Sequence, residues 1–428
     1  MVWGGIIKTL VKDGIIVNSD ERFKGDILIE NGMIKEINNN IQDNAAELID
    51  AKGKYIFPGF IDAHTHPGLP EDLGYVKKSN DFYTETLAAR LNGTTTIIDF
   101  AEQQKGERLI EALCKRKYRY EGKANCRFSF HIAVTDVHED IFNQLKEVKA
   151  AGINSIKLYT TYGMKLSNED ILRVMDCSAK LDMVVLVHCE ENSIISYCSH
   201  EKFYEAARPR EAEYNMVHTI ITFAKLTGCK AYICHVSCKE SIELIKHAKS
   251  EGIKIYLEIC PQYIIFDNSL YNIEDEEMTK YILSPPFRKA EDREALIEAC
   301  LDGSVDIIST DHCSFLFKEH KACFRKDLTK AAKGMPGIQL RPSLIYDILV
   351  KKRELSLENF VKLMSFNAAS ILGFKDRGCI REGKLGDIVI WSEEEFIVSI
   401  KNLAAGTDYT PYEGMRLIGK AEQVIFDK

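Results

Sequence analysis

The chain predicts a TIM-type (β/α)8 barrel with a β-sandwich built from both chain ends, and three patterns predict it. Short apolar strands alternate with helical segments from Phe60 to Asp311. Glycines stand where helical patterns stop, just before the next apolar run. Strand patterns without intervening helices fill the first 58 residues and return after Gly378.

Eight barrel strands are read: Phe60 to His66, Thr94 to Phe100, Arg127 to Val134, Ser155 to Thr160, Met183 to Cys189, Ala231 to Val236, Ile253 to Cys260 and Val305 to Asp311. Gly93, Gly122, Gly152, Gly228, Gly252 and Gly303 mark helix ends, where a left-handed residue closes the last turn. The helix from Ser167 to Leu181 starts with Ser167 and Asp170 in capping-box-like spacing. Among the N-terminal strands, Asn31-Gly32 is a hairpin signal, because both central positions of that turn need positive φ. The run Gly386 to Trp391 reads as a returning strand. Residues 1–58 and 379–428 are therefore expected to share a discontinuous β-sandwich, and 59–378 to form the barrel. The alternative is two separate small modules.

Composition excludes several classes. The 428 residues are 45% apolar and 28% charged, with a net charge of −8 and no dense basic stripe, which argues against nucleic acid as a partner. No run approaches the ~18–20 apolar residues of a membrane span. The stretch from Met1 to Val17 is broken by Lys8, Lys12 and Asp13 and reads as a strand rather than a signal. The 13 cysteines, without a CxxC pair, read as reduced and largely buried, pointing to a cytoplasmic protein.

His64 and His66 end the apolar run Tyr55 to Ile61. On a strand of period two both imidazoles leave one face and can meet one metal ion. Such a pair alone also occurs on ordinary surfaces. Further candidates, however, fall at successive strand ends: Lys157, His188, His235 and Asp311. His188 or His235 taken singly reads better as a core histidine. Joint placement on one barrel rim reverses that preference, and imidazole with carboxylate suits zinc or a similar divalent ion. Lys157 lies within an apolar strand, where a buried ammonium costs several kcal/mol unless paired or neutral.

The chain resembles the cyclic amidohydrolases of the dihydropyrimidinase and hydantoinase group. The likeness rests on Gly59 to His66, Asn154 to Lys157, Val187 to Asn192, Cys234 to Ser237, Glu258 to Tyr263, Ser284 to Arg288 and Ser309 to Cys313, in that order. It implies a cytoplasmic homo-oligomer, a dimer or tetramer, acting on a small cyclic amide or ureide. It also implies two divalent ions, zinc by ligand type, bridged by Lys157 carboxylated on its ε-nitrogen. His64, His66 and Asp311 then hold one ion, and His188 and His235 the other. A hydroxide shared by the metals attacks the ring carbonyl, with Asp311 as proton shuttle and Tyr162 as donor to the oxyanion. Ser284 matches a residue that binds the ring's amide edge.

Two departures bear on the substrate. The group usually has asparagine before Gly-x-Pro-Gly, where this chain has Lys333-Gly334-Met335-Pro336-Gly337. In the loop Pro67 to Asp72, Glu71 either faces solvent or favours a polar substituent, with Tyr159 and Leu166 as further pocket candidates. Rival readings are an allantoinase-like or dihydroorotase-like ring hydrolase, a mononuclear deaminase with unmodified Lys157, and a non-catalytic scaffold. Dihydroorotases commonly carry an arginine where this chain has Gly68, and all six ligand positions are filled. His131, His138, His200, His218, His247, His312 and His320 match no role. Cys189 and Cys313 read as packing residues, and Trp3 and Trp391 as core of the sandwich.

Overall fold

The computed structural model describes residues 8–69, 82–201, 203–273 and 275–427. The eight-stranded sheet runs through Phe60–Asp62, Thr94–Glu102, Arg127–Ala133, Ser155–Tyr159, Val184–His188, Lys230–Ile233, Ile255–Ile259 and Ile307–Ile308. Spatial order follows chain order, and the pairing is parallel throughout, as repeated βα units demand. Tyr232, Leu186, Ile98 and Ile61 interlock inside the barrel against the helix Asn367–Leu372.

The seam between the first and last strands is bridged by a side chain. The fully buried Arg341 donates from Nη1 to Ile61 O at 2.7 Å and Ile308 O at 2.8 Å. Beyond it, Asp311 N donates to His64 O at 2.9 Å, and His312–Cys313 pairs in parallel with Thr65–His66. Removing the guanidinium leaves two carbonyls and the neighbouring Asp62 carboxylate buried without it. Arg341→Met is therefore expected to lower stability by about 3–5 kcal/mol. The check is the urea midpoint; an unshifted midpoint would show that the seam closes without the arginine.

The helix ends follow the expected chemistry. Ser167 Oγ accepts from Asp170 N at 3.1 Å to start the helix Asn168–Lys180. Gly228, at φ 71°, ends the helix Arg210–Thr227. At Gly93 space adds to conformation, since a Cβ there would lie 2.9 Å from Val389.

Both chain ends build one seven-stranded sheet rather than two modules. Its joint is the antiparallel pairing of Ile388–Ile397 with Tyr55–Pro58. The Asn31-Gly32 turn has φ of 51° and 75°, as the hairpin requires. The sheet's own core is aliphatic, with Ile16, Ile27, Ile56 and Ile390. Trp391 corrects an expectation: it packs among Phe57, Phe60 and Phe360, between sheet and barrel, and not inside the sheet's own core. Trp3 lies outside the described residues. All 13 cysteines are free thiols, and no described helix is long and apolar enough to cross a membrane.

Candidate metal centre

The expected ligands converge, but not all from within strands. Lys157 and His188 sit on the fourth and fifth barrel strands. The first strand breaks after Asp62, whose carboxylate accepts from His64 N at 3.4 Å, Thr310 N at 3.1 Å and Thr310 Oγ1 at 2.8 Å. His64 and His66 are therefore not two rungs of one strand; His64 stands in the break. They still meet at Asp311 Oδ1, from which their Nε2 atoms lie 3.3 and 3.1 Å.

His235 and Asp311 were expected on strands and instead follow them, at φ of 37° and 51°. Left-handed backbone at such residues costs about 1–3 kcal/mol each and persists only where the surroundings hold it. Here it turns both side chains inward. The His235 ring lies 4.6 Å from His188 and 5.5 Å from His64, centre to centre. Ligand atoms of His64, His235 and Asp311 all fall within 4.8 Å of one another.

Two carboxylates orient this array, and sequence reasoning assigned neither a role. Glu258 accepts from His64 Nδ1 at 2.8 Å and from His235 N at 2.9 Å. Glu190 accepts from His188 Nε2 at 2.7 Å. Carboxylates behind imidazoles fix ring orientation and tautomer, leaving His64 Nε2 and His188 Nδ1 with their lone pairs free. The signals were there: Glu190 is two residues from His188, and Glu258 stands next to the end of the seventh strand, at the start of the motif Glu258 to Tyr263.

Burial holds the imidazoles of His64 and His235 neutral, well below their ordinary range, as ligation requires. Burial also pushes the Asp311 carboxyl up, but attraction to a proton on His64, His66 or His235 and the hydrogen bond with His66 outweigh it, so a proton entering the cluster goes to an imidazole first and the carboxyl stays ionised, far below the usual carboxylate range. Lys157 is 1% exposed and donates to Cys234 Sγ at 3.1 Å, with no carboxylate at ion-pair distance among the described residues.

The donor set suits a divalent ion: neutral imidazoles, an ionised carboxylate and a buried His235 Nδ1 without a partner among the described residues. A cavity of about 490 Å³ opens over it, lined by all six expected ligands, Tyr159, Tyr162, Ser284, Cys313, Lys330 and Lys333. Tyr162 OH lies 3.3 Å from Arg208 Nη2. Ser284 Oγ is 3.0 Å from Tyr204 OH, and Ser284 lines the cavity. Lys333 Nζ donates to Thr329 O at 2.9 Å, and burial lowers its ammonium to about 8. Leu166 corrects the pocket expectation: it packs against the barrel core. Glu71 lies outside the described residues.

The remaining histidines have other partners or positions. His131 bonds Ser155 Oγ and Ala63 O, at 2.6 and 2.8 Å, and His312 bonds Glu85 at 2.6 Å. His138, His200 and His247 are exposed. Cys189 and Cys313 are buried, and burial pushes both thiols well up, which suits packing.

Comparison with known proteins agrees with this geometry. The Amidohydrolase family matches residues 55–416. A D-hydantoinase of Geobacillus stearothermophilus is 34% identical over 430 residues, covering 97% of this chain and 91% of that protein. A D-hydantoinase of Ralstonia pickettii is 33% identical over 97% of this chain and 93% of its own length. The crystal structure of dihydropyrimidinase from Brevibacillus agri superposes with a TM-score of 0.94 at 31% identity, over 98% of this chain and 94% of that one. With its inward-turned candidate ligands at the ends of a parallel barrel, this chain belongs to the amidohydrolase family, within the hydantoinase and dihydropyrimidinase group.

Proposed function

We propose that the protein opens a cyclic amide, a 5-substituted hydantoin or a dihydropyrimidine, by adding water across the ring C–N bond to give an N-carbamoyl amino acid. One observation supports this above the rest: His64, His66, Lys157, His188, His235 and Asp311 all line a single cavity. His64, His66 and Asp311 would hold one ion, His188 and His235 a second. Lys157 would bridge them as its carbamate, which replaces a buried amine that has no carboxylate partner among the described residues with an anion offering two oxygens. Bound there, zinc would lower the pKa of water to about 7 and polarise the ring carbonyl.

The chain's own groups do the rest. Asp311, held ionised among imidazoles, accepts the proton of the attacking water and passes it to the departing ring nitrogen. Tyr162 donates its hydroxyl to the developing oxyanion. The Ser284 backbone holds the amide edge of the ring. Gly68 supports this reading over dihydroorotate: its φ is 88°, and a Cβ would lie 3.0 Å from the Phe82 ring, so an arginine would be strained there.

The test is a panel of dihydrouracil, hydantoin, 5-substituted hydantoins, allantoin and dihydroorotate, with zinc-loaded and chelated protein. Ring opening of hydantoins or dihydrouracil, lost on chelation, is expected. Inertness toward every ring would return the scaffold reading. Lys333, on the cavity wall, is proposed to tune substituent choice. Lys333→Asn should change relative kcat/KM among 5-substituted hydantoins by about tenfold, roughly the 1.4 kcal/mol of one altered polar contact. An unchanged ranking would remove Lys333 from the specificity wall.

A further inference from the structure

Glu190 does more than back His188. Its carboxylate is buried and gripped by Arg208, with Nε to Oε1 at 3.1 Å and Nη2 to the same Oε2 that meets His188. That Nη2 also reaches Tyr162 OH at 3.3 Å, and the guanidinium carbon lies 5.2 Å from the Tyr162 ring centre. One planar cation thus touches the partner of a candidate metal ligand and the candidate oxyanion donor together.

The surroundings lock this arrangement. Arg208 O accepts from Arg288 Nη1 at 2.7 Å, and Arg288 Nε donates to Ser237 Oγ at 3.1 Å. Thr160 Oγ1 shares its one proton between His188 O and Glu190 O, at 2.6 and 2.9 Å, and accepts from Glu190 N at 3.0 Å. Tyr162 itself stands at φ 68°, a backbone that tyrosine does not hold unaided.

A phenol has one proton and two lone pairs. When Arg208 donates to the oxygen, it occupies a lone pair and turns the proton toward the cavity side, where the Ser284 hydroxyl also meets the phenol. Its positive charge also withdraws density from the oxygen, which makes the remaining O–H a stronger donor. We propose that Arg208 is a positioning residue that aims the Tyr162 hydroxyl and, through Glu190, ties it to the His188 ring. Arg208 touches no reacting atom; it acts through Tyr162. The inference rests on the ring-opening reading.

A double-mutant cycle on the zinc-loaded protein tests it, using Y162F, R208M and the pair, with hydantoin ring opening and metal content measured for each. Y162F and R208M should each lower kcat about 100-fold, with KM within about threefold and metal content unchanged. In the Y162F background R208M should cost less than about threefold more. Losses that multiply would overturn the proposal, since an arginine that merely supports the fold acts whether or not the hydroxyl is present. R208K keeps a cation for Glu190 but has no second nitrogen for Tyr162, and it replaces R208M in the cycle if that variant does not fold. A crystal structure of R208M or R208K gives a readout that needs no turnover. The Tyr162 hydroxyl should move by about 1 Å or more, a displacement large enough to impair a positioned group; an unmoved hydroxyl would overturn the proposal. If the wild-type protein opens no ring, the ring-opening reading fails, while the crystal structure still decides whether Arg208 holds Tyr162.

Discussion

Lys157→Ala should purify folded, hold little or no metal and show ring-opening activity at background. Fold is expected to survive because the change removes a buried ammonium that has no carboxylate partner among the described residues. Metal should be lost because the remaining ligands divide into two groups with no anion between them. Hydroxide at neutral pH depends on the metal, so activity falls with it. Elemental analysis per chain and hydantoin turnover check both arms. A carbamate resonance after equilibration with isotopically labelled bicarbonate should be seen in the wild type and be absent from the variant. Retained metal with full turnover would sink the bridging role.

Asp311→Asn should leave turnover lower by about 1,000-fold or more, within the range attributed to a positioned general base. The substitution is nearly isosteric, so packing against His64 and His66 is preserved while the charge and proton affinity are lost. Asparagine is also a poorer ligand, and this second effect must be separated from the first. Titrating zinc back to saturation separates them: a ligand defect recovers with metal, whereas a missing proton carrier does not. Turnover restored to the wild-type level would remove Asp311 as the shuttle.

Much of the fold was legible because it follows from local rules. The period of apolar residues, the glycines at helix ends and the Asn31-Gly32 turn each act over a few neighbours, and all three recur in the structure. Strand lengths were less legible. The eighth strand shrank from Val305 to Asp311 down to Ile307–Ile308, because Thr310 and Asp311 bond across to Asp62 and His64 rather than continuing the ladder. The partner that ends this strand lies some 250 positions away in the chain, beyond the reach of any local pattern.

The site divides along the same line. The sequence by itself determined which side chains gather at one cavity, because imidazole, carboxylate and lysine at successive strand ends share a rim once a barrel closes. It did not determine how they face one another. Only the tertiary structure decided that His235 and Asp311 turn inward on left-handed backbone, that Glu258 and Glu190 hold the imidazoles, and that Arg208 reaches both Glu190 and Tyr162. The physical reason is distance in the chain. Glu258 is 194 residues from His64, and Arg208 is 46 from Tyr162, so those hydrogen bonds exist only after packing has brought the strands together.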